Sequence, residues 1–172
     1  DAEAPEAFRC LSRLSQHISF LKDFFRSYKN FTDNQIDTIE IMLEKLYEKW
    51  NIRDNTDFGE LTPEDYPILS DLYDLMEEEY KHYDPKKKQL YTAELLQEIC
   101  LGLHSMCKGA ESKFFNGYTN ITDNSFLTFG VKGLLQASKN VKDAMLFNIL
   151  SYMSDALLTN GHTAACIDEL YL

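Results

Sequence analysis

Apolar residues recur at spacings of three and four through most of the first hundred positions. From about 6 to 28, Phe8, Leu11, Leu14, Ile18, Leu21, Phe25 and Tyr28 fall on one stripe, while Arg9, Arg13, Lys22 and Arg26 lie mostly off it. That is the period of an amphipathic helix. Asn30-Phe31-Thr32 interrupts it, and Thr32 with Gln35 matches a capping box, in which two side chains satisfy the free amides of a helix start. A second helix is predicted to about Trp50, with Ile36, Ile39, Leu43 and Leu46 on its stripe. The short connection makes the two a hairpin. Residues 51–61 are polar and contain Gly59, which predicts a loop, and Thr62-Pro63 suits a helix cap and first turn. Pro67 starts a further helical piece carrying Ile68, Leu72, Leu75, Met76 and Tyr80. A fourth helix is predicted from about 89 to 106, stopped by Lys108-Gly109.

Past residue 110 the texture changes. Asn116-Gly117 is a turn dipeptide, and 125–129 is short, apolar and rich in strand formers. A helix from about 139 to 158 is apolar on most sides, which predicts cover on several faces. Residues 163–167 read as a small apolar strand delivering Asp168-Glu169. The fold class expected is therefore mainly α: a helical bundle over 1–110, then a strand–helix–strand unit over 111–172 suited to a parallel sheet.

The chain has 172 residues, enough for one domain or one large subdomain, and a formal charge of -11. That field repels nucleic acid and anionic lipid, so direct nucleic-acid binding is not expected of this segment. Cys10, Cys100, Cys107 and Cys166 include no CxxC pair and read as reduced thiols. The chain starts without Met and stops just past an apolar strand, so both ends look cut from something longer.

Candidate chemistry concentrates at the end. An Asp at the tip of an apolar strand can help hold Mg²⁺ beside a nucleotide, and a Glu one residue on can polarise water. By pattern alone, the pair can equally face solvent. No G-x-x-x-x-G-K-[ST] phosphate loop occurs, and the nearest runs, 102–108 and 130–133, lack its spacing. Glu79 and His82 make a single Glu-x-x-His step, which reads as a solvated helix end rather than a metal site. The aromatic-rich helices admit a partner groove, with core packing preferred.

The run Phe147-Asn148-Ile149-Leu150-Ser151-Tyr152-Met153, then Ala165-Cys166-Ile167-Asp168-Glu169-Leu170-Tyr171-Leu172, resembles the conjugation ATPases of type IV secretion systems, the TraC/TraE and VirB-four type. The turn Phe115-Asn116-Gly117-Tyr118-Thr119-Asn120 also resembles that family's approach to the helix. The resemblance implies that 1–110 is a helical subdomain and 111–172 part of a P-loop ATPase core ending in its Walker B strand. It implies Asp168 as the Mg²⁺-associated, cofactor-binding acid and Glu169 as the water-activating catalytic acid. It further implies ATP and Mg²⁺ as cofactors of the intact protein, a hexameric motor with secretion-channel partners, and a place at the cytoplasmic face of the membrane. Without a phosphate loop, the segment alone is expected to bind no nucleotide and hydrolyse none. The alternative is a non-catalytic helical interaction module. Side-by-side pairing of 125–129 with 163–167 would favour the motor, and coil or helix at both would favour the module.

Overall fold

The computed structural model describes residues 11–118, 126–159 and 161–167. Its elements are α1 (Arg13–Tyr28), α2 (Asp33–Lys49), α3 (Leu69–Lys81), α4 (Ala93–Cys107), the single turn α5 (Ser112–Phe115) and α6 (Lys139–Thr159). Short 3-10 turns occur at Pro63–Asp65, Pro85–Lys87 and Lys132–Gln136.

Local chemistry sets the boundaries. Helix α1 starts where the Ser12 hydroxyl accepts the Ser15 N–H at 3.0 Å. The predicted capping box opens α2: the Thr32 N–H donates to Gln35 Oε1 at 2.9 Å, and the Gln35 N–H donates back to Thr32 Oγ1. At Thr62-Pro63 the chain makes a 3-10 turn rather than a full helix, with the Asp65 carboxylate accepting from the Thr62 N–H and hydroxyl. Beyond Pro67, α3 begins after Ile68, whose N–H donates to Asp71. Thr92 caps α4, and its end is closed by Lys108 and Gly109 N–H groups donating to the His104 carbonyl.

Helix α2 is the centre of the bundle, lying against α1, α3 and α4, and α3 also packs on α4. The buried stripes meet in one core that includes Phe25, Ile39, Met42, Met76, Leu96 and Leu103. Lys22 on α1 bridges Glu40 and Asp37 on α2. Gly102 lets α4 approach the α1–α2 connection, because a Cβ there would stand 2.8 Å from Phe31 Cε1.

Helix α6 lies against α1, where Phe147 stacks on Phe20 with ring centroids 5.7 Å apart. It differs from expectation in its cover: only Val141 and Ala144 are buried, and Leu150, Tyr152, Leu157 and Leu158 are exposed. Among the described residues, α1 and the turn Lys132–Gln136 are its main neighbours and Phe129 packs edge-on against Tyr152, so most of the helix is half-buried or exposed rather than enclosed.

The mainly helical class holds, but the strand–helix–strand unit does not appear among the described residues. Residues 126–129 and 163–167 carry no strand. A strand exists only as half of a ladder, and neither segment finds a partner for its N–H and C=O groups here. Phe126 is 86% exposed and Ile167 55% exposed, which fits a chain lying on the surface rather than in a sheet.

Candidate functional site

Asp168 and Glu169 lie outside the described residues, so the structure gives their approach and not their geometry. That approach leaves α6 at Thr159, passes Gly161 in the left-handed conformation (φ 63°) and runs exposed through 163–167. Only a residue without Cβ takes that conformation at little cost. Cys166, two residues before the acidic pair, is a free exposed thiol. Cys100 and Cys107 share α4, and burial raises their thiols to about 11 and about 12. They are therefore protonated packing groups near neutral pH.

The other titratable residues are engaged in structural networks. Glu79 accepts from Lys45 Nζ at 3.0 Å and from the Tyr91 hydroxyl at 2.5 Å, and Lys45 also reaches Tyr91 at 2.8 Å. Burial alone would raise the Glu79 carboxyl, but these hydrogen bonds outweigh it and hold the pKa below the usual range. His82 turns Nδ1 to the Glu78 carbonyl. The Glu79–His82 step thus clasps its own helix and its neighbours. A second hub forms at Glu111, which accepts from the Tyr28 hydroxyl at the end of α1 and from Ser138 at the start of α6. Burial would raise this carboxyl too, and the bonds from Tyr28 and Ser138 keep it low.

An open cleft of about 1030 Å³ lies between α1, the loop from 51 to 67, and the segment from 129 through α6. Leu14, His17 and Leu21 form one wall, Phe58, Leu61 and Tyr66 a second, and Phe129, Met145 and Ile149 a third. More than a third of His17 meets solvent, yet its ring packs beside Phe20 and Tyr47, and desolvation lowers its pKa. The neutral imidazole belongs to the apolar wall. Sequence reasoning missed this cleft because the loop after α2 read as merely polar. The interleaving of Phe58, Leu61 and Tyr66 with acids was the available signal.

No family model matches the chain, and no curated protein matches it. The solved structure of VirB4 of Thermoanaerobacter pseudethanolicus matches over 86% of this chain, with TM-score 0.70 and 26% identity. The chain is similar to VirB4. The match takes in 48% of the VirB4 chain, so the present sequence spans about half the length of the structure it resembles. The likeness to VirB4 supports the secretion-ATPase family suggested by the sequence. It does not bear on the TraC/TraE type or on the acidic pair.

Proposed function

We propose that this chain is the helical subdomain, and the approach to the Walker B acids, of an ATP-driven motor of type IV secretion and conjugative DNA transfer. The observation carrying this reading is the fold likeness to VirB4 over most of the chain at TM-score 0.70. In the intact motor, Asp168 is the acid that helps hold Mg²⁺ and Glu169 the acid that orients the attacking water. The motor is a hexamer working at the cytoplasmic face of the membrane with channel proteins as partners. No described helix is long and apolar enough to cross a membrane.

Among the described residues nothing fits the phosphates of ATP. Gly102 is inside α4 and covered by Phe31, and Gly133 lies within the turn Lys132–Gln136. No group of three or more metal-ligating side chains occurs among them. The reading that this segment carries no step of hydrolysis by itself rests on the sequence, which contains no G-x-x-x-x-G-K-[ST] loop. What it supplies is a rigid bundle and a helix leading to the acidic pair.

Replacing Glu169 by Gln in the intact motor tests the assignment. Nucleotide binding should persist while turnover falls by at least about a hundredfold, the usual scale for a general base. Hydrolysis at the unmodified rate would refute it.

A second reading, a non-catalytic interaction module, is favoured by one observation: neither 126–129 nor 163–167 pairs as a strand. A structure of the intact protein decides between them. Parallel pairing of those two segments supports the motor; coil at both supports the module.

A further inference from the structure

The cleft between α1, the loop after α2 and α6 carries an inference of its own. Its volume of about 1030 Å³ is at the upper end for a small-molecule pocket, and its walls are mainly apolar, with Arg13, His17, Tyr47, Tyr66 and Asn148 among the polar groups. What they present is apolar side chains from three separate elements, the arrangement that receives the apolar face of a helix.

The rim adds a sign. Between Arg53 and Asp65 the loop carries Asp54, Asp57, Glu60, Glu64 and Asp65, all exposed, against the one base Arg53. Asp54, Asp57 and Asp65 accept hydrogen bonds from Ser12, the Gly59 N–H and Thr62, all neutral donors that leave the charge intact. None of the five carboxylates is within ion-pair distance of a cation among the described residues. Arg13 in the α1 wall is the one Asp, Glu, Lys or Arg among the lining residues, and Asp57, Glu60, Glu64 and Asp65 stand on the loop next to its lining residues Phe58, Leu61, Pro63 and Tyr66. A second copy of this chain, itself at -11, would bring acid against acid. We propose that the cleft is a docking site for a basic amphipathic helix of a partner protein, its apolar face seated on Leu14, Phe58, Tyr66 and Met145 and its lysines or arginines against Glu60 and Glu64. Unpaired rim charges steer such a partner and set its orientation, while the apolar floor holds it.

The test uses the full chain and a fluorescein-labelled peptide of Leu and Lys, about five helical turns long, with Leu at i, i+3, i+4 and i+7. This peptide should bind, and its counterpart with Glu for Lys should not. Raising ionic strength from about 0.05 to 0.3 M should weaken binding roughly tenfold, because the contacts are at an exposed rim. Glu60→Lys with Glu64→Lys should cost about tenfold or more, and Glu44→Lys with Glu94→Lys, exposed acids outside the cleft, less than about twofold. Amide shifts on titration should centre on Gly59 and Gly117 rather than on the exposed face of α2. Equal loss from the two double variants would mean that the acidic surface acts without the cleft, and would overturn the proposal. So would failure of the Lys peptide to bind, equal binding of the Glu peptide, or self-association of the chain that the Lys peptide displaces.

Discussion

Helices α2 and α6 are both rich in apolar residues, yet α2 buries seven of its 17 residues and α6 buries two of its 21. The difference lies in arrangement. On α2 most apolar side chains share one stripe, so a few neighbours cover them, and apart from buried Thr38 the polar positions are half-buried or exposed. On α6 they are spread around the axis, and contact with α1 covers only the part near Val141, Ala144 and Phe147. Apolar content alone therefore does not say where a helix is buried; its distribution and the number of neighbours do.

The contrast is broken most forcefully in the core. Leu103→Ala, at a fully buried site on α4, should cost about 2–5 kcal/mol through lost burial and a residual cavity. Leu158→Ala, at a position 80% exposed on α6, should stay within about 0.5 kcal/mol. Urea unfolding of both variants checks this, and equal losses would mean that α6 is covered. Next in size is Gly102→Ala. The new methyl meets Phe31 at 2.8 Å, and overpacking costs about 1–3 kcal/mol, against a gain of at most about 1 kcal/mol in helix propensity. A net stabilisation in the same assay would disprove the close approach.

Glu111→Gln sharpens the comparison at the joint between the two regions. It should loosen α6 by about 1 kcal/mol, seen as faster hydrogen exchange along α6 than in α2. The folded carboxyl is held below its ordinary pKa, so its contribution is complete above the ordinary carboxylate range and disappears as pH falls through the lowered value. Unmodified protein should therefore lose the anchorage of α6 on acidification below the ordinary carboxylate range, and the Gln variant should show a flatter response there. Apart from the Leu158→Ala control, the smallest expected effect is Thr32→Ala, which removes one side of the α2 capping box and should lower stability by about 0.5–1 kcal/mol, measured by thermal unfolding.

The same contrast explains what was legible in the sequence. Thr32 with Gln35 at the head of α2 and Lys108-Gly109 at the end of α4 act on amides and carbonyls within one turn, so local pattern located them, whereas the start of α4 at Thr92 lies a few residues beyond the expected 89. The stripes of α1 to α4 were readable because each helix needs only one-sided cover. Strand formers at 126–129 and 163–167 expressed a propensity that needs a partner, and no ladder forms among the described residues. The cleft was illegible for a related reason: Phe58 and Tyr66 become a wall only when α1 and α6 stand opposite. Asp168 and Glu169, the centre of the sequence reading, lie outside the described residues, and their roles rest on the proposal for the intact motor.

Cys166 has a practical consequence. Among the described thiols it is the exposed one, while Cys107 is buried and both α4 cysteines resist ionisation. In a Cys10→Ser background, a maleimide dye or spin label should therefore attach there first. It would sit two residues from the acidic pair and turn nucleotide occupancy in the intact motor into a directly readable signal.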